Sequence, residues 1–192
     1  MSKIGTKMLI KIIFWIIPQR SAAMPKPLTL PEPFPTTNDI CEDAYSLRII
    51  SPAYASSTGE LNAILQYIYH SFFFGRYGYA DVAEKLVSIA VAEMLHLNIL
   101  GQTILALGAP PVYCRNPSTG FDFYNAKYVA YSRSLKYMLE DDILGEKQAI
   151  CDYDNMLKRL KNPQVKKIVS RIRDDEILHV DTLQNILNDF KG

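Results

Sequence analysis

Two short stretches of the sequence place a histidine three residues after a glutamate. Glu93 and His96 lie in AEMLHL, and Glu176 and His179 lie in DEILHV. Two of the chain's three histidines therefore share one Glu-x-Leu-His pattern. Residues three apart lie on the same face of a helix, so each pair presents a carboxylate and an imidazole together. Both groups are good ligands for divalent metals, and the pattern predicts two halves of one metal site.

The residues around the first pair are apolar. Between Leu86 and Leu107, only Glu93 and His96 can carry a charge. A helix that is apolar on all sides is buried, and a buried carboxylate costs several kcal/mol unless a partner compensates it. A surface position is therefore excluded for Glu93, which makes this residue the strongest single indication of a metal.

Two further glutamates complete a repeated unit. Glu60 and Glu146 each interrupt an apolar row, and they precede a Glu-x-x-His by 33 and 30 residues, respectively. Tyr67 and Tyr153 follow these glutamates by seven residues, which is two helical turns on the same face. The two phenols are predicted to donate hydrogen bonds to metal ligands, and filling of the core is the alternative.

Three other polar residues each have a structural and a functional interpretation. His70 is interpreted as packing at the end of the first helix. Asp142 is either a solvated helix-face acid or a neighbour of the site. Asp175 is either solvated or a hydrogen-bond partner of a metal-binding histidine.

Four long segments have the 3.6-residue apolar periodicity of helices, over residues 52–74, 80–107, 132–161 and 163–190. Ser51 and Pro52 are predicted to begin the first helix, and Asn162 and Pro163 the fourth. The connections are short except for residues 109–131. This order predicts an all-α four-helix bundle of two antiparallel helix pairs, joined by one long crossover.

The N-terminal 42 residues differ from the remainder. Met8–Ile17 is apolar, but about ten residues are too short to span a bilayer, which needs roughly 20. Residues 18–35 contain six of the 11 prolines, which predicts an extended arm outside the core. Residues 43–192 are expected to form the bundle. Membrane contact by the apolar segment, and a translation start at Met24, stay open.

Composition limits the function classes. The net charge of +1 gives no electrostatic case for a nucleic-acid partner. The three cysteines, Cys41, Cys114 and Cys151, form no CxxC pair, which excludes a rubredoxin-type iron site. Unpaired cysteines fit a reducing cytosol, so a cytoplasmic location is expected.

The chain resembles the ferritin-like superfamily, in its rubrerythrin and manganese-catalase branch, over about residues 52–190. The specific motifs are GELNAILQYIYH, VAEMLHLNILGQTILALGAPP, LGEKQAICDY and DDEILH. The resemblance implies two divalent metal ions, manganese or iron, on six residues: Glu60, Glu93, His96, Glu146, Glu176 and His179. It also implies that Glu93 and either Glu146 or Glu176 bridge the metals.

By the same resemblance, the expected function is oxidative-stress defence by peroxide chemistry. Hydrogen peroxide or dioxygen would be the substrate, with Glu176 as a non-bridging general base beside Tyr67 and Tyr153. Ala149 replaces the seventh carboxylate of rubrerythrins, which leaves the set nearer the manganese-catalase pattern. An iron peroxidase would need an external electron donor. A non-catalytic metal-storage protein or a structural protein of the spore-coat type is the alternative, and a homo-oligomer is expected.

Overall fold

A computed structural model describes residues 24–117 and 122–190 of the chain. Within them lie five α-helices: α1 (Ala44–Ala55), α2 (Glu60–Arg76), α3 (Ala80–Ala106), α4 (Leu135–Arg159) and α5 (Pro163–Asp189). The described part of the crossover contains a short 3-10 helix, Ala126–Tyr128, and an isolated bridge between Cys114 and Phe123. Helix α2 packs mainly against α3, and α4 against α5. The predicted all-α bundle is confirmed.

The first long helix is interrupted, and the prediction of one helix over residues 52–74 is wrong. Helix α1 begins after Asp43, whose side chain caps it, and Pro52 lies inside its last turn. The backbone becomes extended at Ser56, and α2 starts only at Glu60. Pro52 was expected at the first turn because proline favours that position. Its last-turn position is compatible with a helix that ends three residues later, at Ala55.

Gly59 allows the two helices to approach closely. A Cβ atom at this position would lie 2.6 Å from the carbonyl oxygen of Ala53 and 2.8 Å from that of Pro52. Both are backbone atoms, so a larger residue would push the start of α2 away from the end of α1. Gly59 therefore fixes the position of Glu60, the next residue in the chain.

The other helix ends lie within three residues of the predicted ones. Gly108 has a φ of +96°, in the left-handed region that suits a glycine after a helix. Ser134 caps α4 by accepting a hydrogen bond from the amide of Tyr137. Asn162 caps α5, and Pro163 occupies its first turn.

The arm, residues 24–42, packs against the bundle, which corrects the expectation that it lies outside the core. The Leu28 amide donates to the carbonyl of Ser88 on α3 at 3.0 Å. Arg171, on α5, donates to the carbonyls of Leu30 and Glu32. A proline-rich segment has few amides to satisfy, and its carbonyls remain free to accept bonds from core side chains. The expectations for residues 1–23 lie outside the described residues.

The hydrophobic core has two parts, one on each side of a polar layer. One cluster includes Ile89, Leu139 and Leu183. The other includes Leu100 and Ile168, together with most of the buried residues of α1. Among the described residues, α3 is long and apolar enough to span a membrane, but its polar ligand face lies buried at the centre of the bundle. Its hydropathy is therefore that of a central core helix.

Candidate metal centre

The six predicted ligands meet in the polar layer at the middle of the bundle. Helices α2 and α4 each contribute one glutamate, and α3 and α5 each contribute a glutamate and a histidine. All six side chains are buried, at 4% exposure or less. Their ligand atoms form two groups, and within each group they lie within 4.8 Å of one another: Glu60, Glu93, His96 and Glu176; and Glu93, Glu146, Glu176 and His179.

Glu93 and Glu176 belong to both groups, which is the geometry of shared, bridging carboxylates. The Oε1 atoms of both are buried without a hydrogen-bond donor. Glu93 Oε1 lies 3.0 Å from Nδ1 of His179, and Glu176 Oε1 lies 3.2 Å from Nδ1 of His96, yet neither contact has hydrogen-bond geometry. Glu176, and not Glu146, thus shares this position with Glu93, whereas the resemblance had left either residue as the second bridge and had also suggested Glu176 as a non-bridging base.

The two histidines turn the same ring atom toward the carboxylates. Nε2 of His179 lies 2.9 Å from the carbonyl oxygen of Leu28. Because a carbonyl can only accept, Nε2 carries the proton. Nε2 of His96 lies 3.0 Å from Asp175 Oδ2 in the same way. In the neutral imidazole, Nδ1 of each ring is left with a lone pair that faces the cluster, as a metal ligand requires.

Asp175 is fully buried, so its interpretation as a solvated acid is wrong. It accepts hydrogen bonds from His96 and from the amide of Leu30. Its neighbour Asp174 is 41% exposed and pairs with Arg173 at the surface. Two adjacent aspartates on one helix therefore have opposite environments.

The four glutamates divide into two kinds by the direction in which their pKa values shift. Burial, reinforced by the charges of Glu93 and Glu176, raises the pKa of Glu60 and of Glu146 well above the ordinary value. Burial also acts to raise the pKa of Glu93, but a hydrogen bond with Glu60 and the two imidazoles hold it well below the usual range. The pKa of Glu176 is likewise lowered, since the imidazoles outweigh burial and the charge of Glu93. Shared and unshared glutamates thus differ electrostatically.

The imidazoles respond to the same charges. Burial lowers the pKa of His96, but the charges of Glu176 and Glu93 outweigh it and raise that pKa well above the ordinary value. The pKa of His179 is raised in the same way, chiefly by Glu93. Without a metal, the buried negative charge is neutralised by protons. Two divalent cations would balance the four carboxylates and leave both imidazoles neutral, so the donor set fits a metal pair.

The two tyrosines donate across the bundle. The Tyr67 hydroxyl donates to Glu146, and the Tyr153 hydroxyl donates to Glu60. Each tyrosine follows the glutamate of its own helix by two turns, but its hydroxyl reaches the glutamate of the other helix pair. Burial raises the pKa of both phenols well above the ordinary value, and the neighbouring glutamate raises it further. Both tyrosines therefore remain protonated donors.

A second buried polar network joins α2, α4 and the crossover. His70 Nδ1 lies 2.8 Å from Asp142 Oδ1, and its Nε2 lies 2.8 Å from the carbonyl of Ala130. Gln66 donates to Asp142 and accepts from the Ala130 amide. Asp142 is buried at 1% exposure, so its interpretation as a solvated acid is wrong. His70 is buried as expected, but as part of a hydrogen-bonded network.

A cavity of about 360 Å³ opens between α2 and α4 onto the metal ligands. All four glutamates line it, with Tyr67, and neither histidine does. Another cavity, of about 480 Å³, lies beside the break between α1 and α2 and contains none of the six ligands. Of these two cavities, the smaller one reaches the carboxylates, so its chemistry bears on the site.

A sequence model of the ferritin-like domain matches residues 56–192, which is most of the chain. The chain belongs to the ferritin-like family. The resemblance that the motifs indicated is thereby confirmed at the level of the family. A search among proteins of curated function gave no match.

Solved structures share the fold of this ferritin-like protein. The manganese catalase KatB from Anabaena superposes with a TM-score of 0.73 at 21% identity, over 85% of this chain and 83% of KatB. The Mycobacterium tuberculosis bacterioferritin BfrA gives 0.64 at 21% identity, over 78% and 87%. A Rhodobacter capsulatus bacterioferritin with a metal-free dinuclear site gives 0.63 at 24% identity, over 78% and 87%. At these identities the comparison shows the fold alone.

Proposed function

We propose that this ferritin-like protein binds two divalent metal ions, manganese or iron, and decomposes hydrogen peroxide. The main support for this proposal is that Glu93 and Glu176 belong to both groups of possible ligands. Each has a buried carboxylate oxygen that accepts no hydrogen bond and faces an imidazole nitrogen. Glu60 and His96 would complete one ion's ligands, and Glu146 and His179 the other's. The cavity that reaches these carboxylates supports access by a small substrate.

The metal pair would supply the electron transfer that breaks the O–O bond. In the catalase form, two molecules of hydrogen peroxide give two of water and one of dioxygen, and no external reductant is consumed. In the peroxidase form, one molecule of hydrogen peroxide takes two electrons and two protons and gives two of water. The catalase form needs only this chain, so it is our first choice.

The chain's own residues would position the substrate and handle its protons. Glu60 and Glu146 line the cavity and each belongs to only one ligand group, so they replace Glu176 as our candidates for accepting and returning a peroxide proton. Tyr67 and Tyr153 hold one oxygen of these glutamates through hydrogen bonds. The opposite side of the centre, where the histidines lie, is covered by the arm.

Iron storage is the second candidate. The bacterioferritins share the fold of this chain, as the manganese catalase does. A storage protein would oxidise iron with dioxygen and retain it. A structural spore-coat role has no supporting observation beyond the resemblance. The cytoplasmic location, the homo-oligomer and an external electron donor remain proposals.

The deciding experiment is metal analysis by mass spectrometry on protein from its native host, with peroxide decay measured on the same sample. Two manganese ions per chain and oxygen release without a donor would support the catalase form. Two iron ions and turnover only with an added reductant would indicate a peroxidase. Iron accumulation beyond two ions per chain, without peroxide turnover, would indicate storage. No bound metal after reconstitution would contradict the proposal.

A further inference from the structure

The arm contacts the outer edge of the metal centre at two points. The Leu28 carbonyl accepts the proton on Nε2 of His179, at 2.9 Å. Two residues later, the Leu30 amide donates to Asp175 Oδ1 at 2.8 Å, and the other oxygen of Asp175 holds His96 at 3.0 Å. One short segment of backbone therefore orients both histidines, one directly and one through a carboxylate.

Arg171 fastens this segment to the bundle. Its guanidinium donates to the carbonyls of Leu30 and Glu32 at 2.9 Å. It also lies 2.6 Å from Asp175 Oδ1, so it joins the arm to the carboxylate that holds His96. The ring of Phe34 packs over the guanidinium at 4.5 Å and meets the His96 ring edge-on, with centroids 5.7 Å apart. Arg171 is 8% exposed, and its contacts with the arm are shielded from water.

The repeated halves of the bundle differ at the position that these contacts serve. Asp175 directly precedes Glu176, and the corresponding residue before Glu93 is Ala92. The methyl side chain of Ala92 cannot accept a hydrogen bond. Helix α3 therefore offers His179 no acceptor at the position that corresponds to Asp175. The Leu28 carbonyl provides it instead. The half-site of His179 is incomplete without the arm.

We propose that arm residues 28–34 are a positioning element of the metal centre. They hold both imidazole rings so that Nδ1 faces the glutamates. The proposal rests on metal binding at the site proposed above. Docking of the arm fixes the ligand geometry, and a bound metal fixes the rings to which the arm docks. By linkage, each event strengthens the other by the same factor. Removing an arm contact must therefore weaken metal binding, which we expect to observe as faster metal loss, and removing the metal must loosen the arm.

The first test compares Arg171→Lys with Arg173→Lys. Lysine keeps the charge but loses the planar guanidinium that donates to two carbonyls while it pairs with a carboxylate. Arg173 lies on the same helix, and within the described residues it pairs with Asp154 and Asp174 at the surface. We expect Arg171→Lys to accelerate metal release to a chelator by about 10-fold, because loosening the support of Asp175 should weaken metal affinity by the lower end of the loss seen when a partner of a metal-binding histidine is changed. Arg173→Lys should leave the rate unchanged.

The second test changes the arm itself. Leu30→Pro removes the amide that donates to Asp175. Thr29→Pro places the same residue one position earlier, where the structure shows no hydrogen bond from the amide. Leu30→Pro should accelerate metal release and Thr29→Pro should not. Circular dichroism of all four variants checks that the helices are intact.

Two readouts separate this proposal from the proposed function. Hydrogen exchange of residues 28–34 should slow when metal is added to the wild type, and this change should shrink in Arg171→Lys. In metal-free protein, the Nε2 protons of His96 and His179 should be visible by NMR and protected from solvent exchange, and Leu30→Pro should abolish the protection of the His96 proton. If the wild type binds no metal, the function fails while the NMR result still supports the positioning role. Equal metal release and equal proton exchange in all variants would overturn the proposal.

Discussion

Tyr67 donates its hydroxyl proton to Glu146, on the opposite helix pair, and not to the glutamate of its own helix. The reciprocal bond from Tyr153 to Glu60 makes the arrangement mutual. Each half of the bundle therefore holds a ligand of the other half in position. This relationship joins the packing of the two helix pairs to the geometry of the metal centre.

Replacing Tyr67 by phenylalanine should destabilise the protein by about 1–3 kcal/mol, because Glu146 loses its buried donor. Urea unfolding measures the change. Tyr137→Phe is the matched control, since Tyr137 lies on α4 and is 61% exposed. The metal should still bind, but more weakly on the side of Glu146. An equal effect of both substitutions would remove the role assigned to the Tyr67 hydrogen bond.

Replacing a glutamate of both ligand groups and replacing a glutamate of one group should leave different numbers of metal ions bound per chain. Glu93→Ala removes a ligand from both groups and should empty the site. Glu146→Ala removes a ligand from one group and should leave the ion held by Glu60 and His96. Metal content per chain, measured by mass spectrometry after dialysis, distinguishes the two results. Loss of a single ion in Glu93→Ala would contradict the bridging position.

The network around His70 predicts a pH-dependent stability. Burial acts to lower the pKa of His70, but the hydrogen bond and charge of Asp142 outweigh it, so the net pKa is raised. A raised folded pKa gives stability that is complete below the unfolded value, about 6.5, and is lost as the pH rises through the folded value. The difference in unfolding free energy between the wild type and His70→Gln should therefore be larger at about pH 6 than at about pH 9. A constant difference in urea titrations across this range would refute the ion pair.

Gly145 offers a way to close the cavity without changing a ligand. It lies on α4 at the cavity wall, and a Cβ atom there would meet no heavy atom within 4 Å. Gly145→Ala should stabilise the helix by roughly 0.5–1 kcal/mol and leave peroxide decay unchanged. Gly145→Leu should lower kcat/KM for peroxide, because the side chain enters the access path, while metal content stays the same. Full activity of Gly145→Leu would show that substrate enters elsewhere.

The helices α3 and α5 and the convergence of the six candidate ligands could be predicted because their signals are local. An ionisable residue inside a long apolar run, such as Glu93, has no solvated position available. The repeat of that signal in Glu176 then points to a common site. Caps such as Asn162 act over three residues and can be read in the same way.

The arm could not be predicted because its role depends on backbone atoms. The carbonyl of Leu28 and the amide of Leu30 exist in any sequence and leave no side-chain pattern. Arg171, four residues before Asp175 on the buried stripe of α5, was the one available signal, since a buried arginine requires acceptors. The tyrosine exchange was missed for another reason: periodicity gives the face of a helix but not which neighbour that face meets.

The unequal acceptors behind the two histidines have an electronic consequence. A carboxylate behind His96 makes that imidazole a stronger electron donor than the neutral peptide carbonyl makes His179. Stronger donation stabilises the higher oxidation state of a bound ion. If two metal ions bind here, the carboxylate behind His96 would therefore make the ion on that side the harder of the two to reduce, to the extent that Arg171 leaves the charge of Asp175 unbalanced.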